Sequence, residues 1–543
     1  MCARPMAPRN GCSAIRARWR RRSMSPSDGI AITDGSAPRA RSHTPSTRAL
    51  WRATKRFLYF FHRWTGIVLC VFFAVWFVSG VVMMYVPFPS FRAPERIAGA
   101  APIDWARVRV TPDAVLTTLR ESAFPKEMRL GMSGDVPVYR VVTEDGRRAI
   151  SAETGQEIRA VDAPQAGAIA AAFGQAPVAS IVAVRQDQWV VTRAYKKIAP
   201  FWRIRLADPA ATDVYVMQQT GEIVQNTTAH ERFWNWLGAV PHWIYFEALR
   251  VYQEPWRQTV LWTSGVGMLG AIAGIWIGLL RVRISKRYKS GSVSPYRSWM
   301  KWHHVVGLVG GVFVVTWVFS GWLSMSPWGG FRDEDKGIAE RYVGAKPGFA
   351  TTDLRGLAGT ARDARELEFS HLGGIPVIVA WRDPEHKRLL DGATAEPISL
   401  AKARIETIAR SAVTDGELMR TERLEHYDRY WYATGDPRRD ARPLPVLRLV
   451  FDDANQTWLH IDPATGLLLG RAGSGSRSYR WLFAALHSFD LPFLLEHRLL
   501  RDLLMWLLSA AGLIVSVSGV VIGWRRLRPV RSPAQAVRLP GGR

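Results

Sequence analysis

The sequence predicts a membrane protein: a four-helix transmembrane bundle of two pseudo-symmetric halves, each half carrying an exported α+β domain. Three observations predict it. Four stretches stay apolar for about 20 residues, the length that crosses a bilayer. Basic residues concentrate at the two ends and in one short internal loop. Residues around four histidines recur at the same spacing in both halves.

The elements follow in order. Residues 1–55 are rich in Arg, Ser and Pro without apolar periodicity, and read as a disordered, basic cytoplasmic tail. Arg20-Arg21-Arg22 has no apolar stretch close behind it, so no cleaved leader is expected. The first span covers 56–86 and the first exported domain 87–258. The second span (259–280), a basic cytoplasmic loop (281–301) and the third span (302–325) come next. A second exported domain (326–502), the fourth span (503–524) and a cytoplasmic tail (525–543) complete the chain. Trp and Tyr crowd the span ends, as at membrane interfaces.

A net charge of +26 resembles a nucleic-acid signal until it is located. Residues 1–63 hold 14 Lys/Arg against 2 Asp/Glu, the loop 281–301 holds 7 and none, and the tail 525–543 holds 6 and none. All but one unit of the net charge therefore flanks apolar spans. That is the positive-inside pattern of a multi-pass membrane protein with both termini cytoplasmic; a nucleic-acid partner is excluded. The three cysteines, Cys2, Cys12 and Cys70, lie outside the exported segments, so no disulfide holds those domains.

Within the exported segments, alternating β-branched and aromatic residues broken by Asp/Gly turns signal hairpins. Strands are expected at Val136–Val142, Arg148–Ser151, Val214–Met217, Pro376–Trp381, Arg388–Leu390, Leu447–Phe451 and Thr457–Ile461. Helical stretches at Pro112–Glu121, Ala163–Ala172 and Leu400–Ser411 fall between them. Small modules of helix plus antiparallel hairpin, two per exported domain, are the expectation.

Four histidines carry the chemistry. From His62 and from His303, Gly follows at +4 (Gly66, Gly307), Trp at +14 (Trp76, Trp317), Ser at +17 (Ser79, Ser320) and Gly at +18 (Gly80, Gly321). Trp236 precedes His242 by six residues and Trp481 precedes His487 by six; Gly274 and Gly519 each follow by 32. Imidazole at membrane depth is expensive and marks function, although a lone interfacial histidine can keep its head wet. If the halves superpose, His62 meets His303 at one depth and His242 meets His487 at another. Two facing imidazoles at each level form a cage for haem iron, and bundle cores are its usual hosts. All four histidines are therefore expected as axial ligands of two b-type haems. Gly66 and Gly307 would clear room for a flat macrocycle or serve packing, and Gly274 and Gly519 suit close helix packing. Lys301 and Arg56 could pair with haem carboxylates or simply follow the positive-inside pattern. His304, one residue off the repeat, is at most an alternate ligand. His43, His230, His371, His386, His426, His460 and His497 read as ordinary surface or core.

The strand–turn–strand segments ending in SAETGQEI, MQQTGEIV and HIDPATGLLLG resemble the PepSY module. The stretches HRWTGIVLCVFFAVWFVSG and YRWLFAALHSFDLPFLL…SVSGVVIGW resemble the spans of the PepSY-associated transmembrane family, and the likeness runs over most of 55–528. The resemblance implies exported PepSY-like domains and an inner-membrane protein of iron uptake. Relatives include reductases that carry haem in the bundle and reduce a ferric siderophore on the periplasmic side. No Walker A loop, GxGxxG after a strand or HExxH is present, so electrons would come from quinol or a separate reductase. An oxidoreductase that reduces a periplasmic ferric siderophore or ferric chelate is thus one expectation. Another is a membrane-tethered PepSY binding or regulatory protein that restrains a peptidase, its histidines incidental; a third is a permease.

Overall fold

The computed structural model describes residues 47–120, 124–329, 331, 333–334, 336–349, 352–433 and 442–528. Four of its helices are long and apolar enough to cross a membrane: Thr47–Tyr85, Gln253–Arg281, Ser298–Ser324 and Arg498–Leu527. The second and fourth contain the expected spans 259–280 and 503–524, while the first and third start earlier than expected and stop one residue short of 86 and 325. The expected disorder of 1–55 does not hold from Thr47 onward, where the chain is already helical. Neither Gly nor Pro occurs between Thr47 and Thr65, so nothing stops the first span from propagating backward. Residues 1–46 and 529–543 lie outside the described residues.

Third-span side chains pack along both the second and the fourth span. The first span reaches the bundle differently, laying side chains onto glycines. Phe73 and Thr65 cover Gly267 and Gly270 of the second span; Phe77, Cys70 and Ile67 cover Gly512, Gly519 and Gly523 of the fourth. A methyl group at any of these glycines would meet its cover at 3.2 Å or less. Small residues are what permit this approach in a membrane, where the hydrophobic effect gives helices no reason to associate.

The segments joining spans one to two and three to four are β-rich and lie on one side of the bundle. The first contributes β1 (Glu127–Ser133), β2 (Val136–Val142), β3 (Arg147–Ser151), β4 (Glu157–Ile158), β5 (Val178–Val184), β6 (Phe201–Leu206), β7 (Asp213–Met217) and β8 (Ile223–Thr227). The second contributes β9 (Glu366–Leu372), β10 (Ile375–Trp381), β11 (Lys387–Asp391), β12 (Leu418–Leu424), β13 (Val446–Phe451), β14 (Trp458–Ile461) and β15 (Leu468–Ala472). Helices Pro112–Leu119, Ala163–Gly174 and Lys402–Ala412 stand within two residues of where the sequence puts them, apart from residue 121, which lies outside the described residues.

Each segment supplies two groups of antiparallel strands, β1–β4 and β5–β8 from the first, β9–β11 and β12–β15 from the second. Among the described residues they form three sheets: β5–β8, β12–β15, and one seven-stranded sheet of order β11-β10-β9-β1-β2-β3-β4. The last joins both segments through antiparallel pairing of β1 with β9, Met128 opposite Phe369 and Gly131 opposite Glu366. Strand β10 shows why the union is stable. Ile378 and Ala380 point into one core with Leu130, Tyr139 and Leu367, while Val377 and Val379 point into another with Leu447 and Phe451. The period of two thus buries both faces.

Arg129 of β1 alternates onto the face opposite Met128 and Leu130 and is only 4 % exposed. Its Nη2 donates to Glu222 (2.6 Å) and its Nη1 to Glu366 (3.2 Å); Arg147 also donates to Glu222 and Arg96 to Glu366 (both 2.7 Å). This network ties the shared sheet to the turn between β7 and β8 and to the helix Ala93–Gly99 that follows the first span. Buried charges persist only when paired in this way.

Candidate functional site

The structure brings His62 to His303 and His242 to His487. Ring centroids are 6.2 Å apart in each pair, with planes inclined at 47° and 74°. Two imidazoles binding one metal from opposite sides at about 2 Å per bond place their centroids roughly 6 Å apart. Ring planes rotate freely about such an axis, so the inclinations fit equally.

Each ring is tethered through Nδ1. His62 donates to the Gly270 carbonyl at 2.9 Å, His303 to the Val515 carbonyl at 3.0 Å, and His242 to the Trp76 carbonyl at 3.2 Å. A carbonyl can only accept, so the proton sits on Nδ1 and Nε2 is the bare nitrogen. His487 has Ser320 Oγ at 3.0 Å, and that hydroxyl spends its own proton on the Trp317 carbonyl, also 3.0 Å. The Nδ1 atom of His242 likewise has Ser79 Oγ at 3.0 Å, and Nδ1 of His303 has Ser518 Oγ at 3.1 Å. Among the described residues no hydrogen bond reaches any of the four Nε2 atoms. Metal-binding histidines commonly show this pattern: one nitrogen fixed to a carbonyl or hydroxyl, the other left for the metal.

His304 has the opposite disposition. Its Nε2 donates to the Gly278 carbonyl (3.0 Å) and its Nδ1 has Ser294 Oγ at 2.9 Å. With Nε2 bonded to the second span and Nδ1 to the loop before the third, both nitrogens serve a structural tie.

The local backbones behind the second pair differ. His242 closes a one-turn helix, Ala239–His242, its own N–H donating to the Gly238 carbonyl at 3.1 Å. Pro241 is tolerated because so short a helix asks little of its N–H groups. His487 instead follows a π-helical turn, Arg480–Ala485. Unlike backbones therefore deliver the two imidazoles to like surroundings: Ser at +17 of a span bonds Nδ1, and Gly at +18 lies against Cε1. A methyl at Gly80 would meet His242 Cε1 at 3.2 Å, and one at Gly321 would meet His487 Cε1 at 3.5 Å. Ser79 and Ser320 were visible in the sequence repeat, but spacing alone assigns them no partner.

At the first pair, a cavity of about 330 Å³ is lined by His62, His303, Gly66, Gly307, Gly274 and Gly519. A methyl at Gly274 would lie 2.5 Å from His62 Cε1, so this glycine makes room for the imidazole itself. Methyls at Gly66 and Gly307 would meet nothing nearer than Cys70 Sγ at 3.9 Å and a Val515 methyl at 4.0 Å. Those two glycines border the cavity with only ordinary contacts around them, as a macrocycle requires. The cations lining the cavity are Arg63 and Arg526 rather than Lys301 and Arg56. Helix geometry explains the correction: Lys301, two residues before His303, and Arg56, six before His62, both fall on other faces at about 100° per residue.

Two further atoms lack partners. The indole nitrogens of Trp76 and Trp317 are buried without a hydrogen bond, at equivalent repeat positions. Among the described residues no group of three or more His, Cys, Asp or Glu could hold a metal ion by itself. A metal at either histidine pair would need its remaining ligands from a non-protein group, and the donor set fits haem.

The other histidines make ordinary contacts. His371 donates from Nε2 to the Pro347 carbonyl (2.8 Å), His460 accepts from Arg448 Nε (3.0 Å) while stacking on Trp431, and His386 bonds Asp383. His43 lies outside the described residues.

A family model, the PepSY-associated TM region, matches residues 61–363. The chain belongs to the PepSY-associated transmembrane family. No curated protein matches it. The matched stretch covers most of the first span and all of the second and third of this PepSY-associated protein, with His62, His242 and His303; His487 and the fourth span lie beyond it.

Proposed function

We propose that this protein is a haem-bearing electron-transfer protein of the bacterial inner membrane that reduces a ferric siderophore or ferric chelate on the periplasmic side and releases Fe(II). One observation carries the reading: two pairs of half-buried imidazoles, each 6.2 Å apart, each ring tied through Nδ1 with Nε2 bare. The pairs sit at different depths. His62 and Ser79, which mark the two levels on one helix, are 17 residues or about 25 Å apart along its axis. Basic residues at the ends and in the loop after the second span orient the bundle with both termini cytoplasmic and the β-rich segments outside.

Bound haem would supply one-electron iron chemistry at each level. His62 and His303 would hold one group and His242 and His487 the other. The Nδ1–H···O=C bonds fix ring orientation and raise the basicity of Nε2. Apolar packing by Phe73, Phe77, Val314 and Val318 between the levels excludes water from the route. Arg63 and Arg526 would answer the carboxylates of the first haem. Electrons would enter from quinol or from a separate reductase. Iron held by hard oxygen donors is released on reduction because those donors favour Fe(III).

The reading is tested by reducing purified protein with dithionite under argon, removing excess reductant and adding a ferric chelate with a chromogenic Fe(II) trap. The expected result is reoxidation of the haem bands matched by trapped Fe(II). Haem-loaded protein that passes no electron to any ferric chelate would refute the reductase, and protein without haem would refute the cofactor.

A further inference from the structure

A second cavity, about 1470 Å³, opens among the β-rich elements, far along the chain from the first histidine pair. Its walls are the helix Ala93–Gly99, the β10–β11 hairpin, the turn after β14, Tyr427 beyond β12 and Arg442–Pro445 before β13. Trp381, Arg388, Tyr427, Arg442, Ala464 and Ala98 are among its lining residues.

Charge among the described residues of this cleft is balanced. They include five Lys/Arg and five Asp/Glu, and several answer one another directly: Lys387 pairs with Asp462, and Asp383 pairs with Arg382 (3.2 Å) and His386 (2.8 Å). A cleft built to hold a multiply charged anion would carry surplus cation; this one suits an occupant with little net charge.

The floor of the cleft leads to the second histidine pair through a run of contacts. Tyr427 donates its hydroxyl to the Arg442 carbonyl (3.2 Å), and Trp431 Nε1 donates to the carbonyl of Pro443, a lining residue (3.2 Å). The Arg442 guanidinium lies over the Trp431 and Tyr432 rings and donates to the Tyr432 carbonyl at 3.2 Å. Tyr432 in turn donates its hydroxyl to Asp490 at 3.3 Å, three residues after His487. Next to it, Trp481 Nε1 donates to the Tyr430 hydroxyl at 3.1 Å. No other described element is needed to pass from the cleft to the His487 turn.

We infer that this cleft is the docking site for the ferric chelate and that it selects a complex of near-zero net charge. The inference rests on the reductase reading above. Fe(III) bound by three singly charged oxygen chelators is neutral, whereas three doubly charged catecholates leave a net charge of −3. In the docked complex one electron, supplied in turn by quinol or a reductase, leaves the site held by His242 and His487 and converts the chelate's Fe(III) to Fe(II).

Tris(acetohydroxamato)gallium(III) is a neutral complex whose metal is not reduced, so its binding needs neither haem nor electrons. Titration into the full-length protein should show saturable binding, at least tenfold tighter than for gallium(III) tris-catecholate. Two exposed lining positions probe the site: Ala464→Trp fills the cleft, and Tyr427→Ala removes a wall. Each should weaken gallium binding at least tenfold and raise KM for the ferric complex similarly, with kcat, haem content and circular dichroism unchanged. Wild-type affinity in both variants, or equal or tighter binding of the trianionic complex, overturns the inference while leaving the reductase reading intact if turnover persists. Loss of haem or turnover with intact cleft binding would instead reject the reductase reading.

Discussion

Gly274→Ala offers a sharp test of how the first histidine is seated. The new methyl would lie 2.5 Å from Cε1 and 2.9 Å from Nδ1 of His62. Neither atom can yield freely, because Nδ1 is held by the Gly270 carbonyl at 2.9 Å, one turn away on the same second-span helix. The ring must tilt or the second span must retreat from the first. Overpacking of this kind costs about 1–3 kcal/mol. If that cost falls on the metal-bound geometry, haem at the first pair is held roughly 5- to 150-fold more weakly at 1.4 kcal/mol per decade. Pyridine haemochrome analysis of purified protein should then fall from two haems per chain toward one. The remaining haem should keep the wild-type spectrum, since the second pair lies about 25 Å along the first span. A variant that holds two haems with unaltered midpoint potentials would refute this seating of His62.

Other perturbations have distinct signatures. Gly66→Ala places its methyl in the open cavity, so fold stability should hold or rise by up to about 1 kcal/mol from helix propensity while first-pair haem is lost; thermal unfolding and haem content check the two halves. Ser320→Ala removes the hydroxyl on Nδ1 of His487 and should weaken second-pair haem binding about 10- to 100-fold, measured by haem retention on dilution. His304→Ala should lower the unfolding temperature but leave two haems, because both its nitrogens serve the helix junction. Burial pushes the Glu222 carboxyl up, yet Arg129, Arg147 and Arg140 outweigh it and hold it at about 2, below the ordinary 4.5. A depressed carboxylate contributes stability above pH 4.5 that is lost as pH falls toward 2, here about 3 kcal/mol. Glu222→Gln should therefore be less stable near neutrality and lack that acid slope in denaturant titrations.

Much of this architecture is legible in the residues, and the illegible parts have physical causes. The spans are long apolar runs and announce themselves. Strands such as Val136–Val142 stand where alternation and the Asp145-Gly146 turn put them. The seven-stranded sheet is different: Met128 pairs with Phe369, across a whole pair of spans, and no local pattern encodes such a contact. Strand β1 itself reads Glu-Met-Arg-Leu-Gly-Met-Ser, an alternation whose charged face gives no sign that it will be buried. Arg129 becomes intelligible only when Glu222 and Glu366 arrive from elsewhere. At the candidate site, register pairs the histidines, because the residues repeat at equal intervals in both halves. Their carbonyl tethers cannot be read, since a backbone oxygen carries no sequence signature. Nor can the one-turn helix before His242 and the π-helical turn before His487, two backbones reaching one arrangement.

Low-temperature electron paramagnetic resonance on the oxidised, full-length protein from haem-replete cells tests the central claim most directly. Two low-spin ferric signals of bis-imidazole type are expected, integrating to two spins per chain, one vanishing in His303→Ala and the other in His487→Ala. A colourless protein, or haem signals that survive both substitutions, would contradict the account.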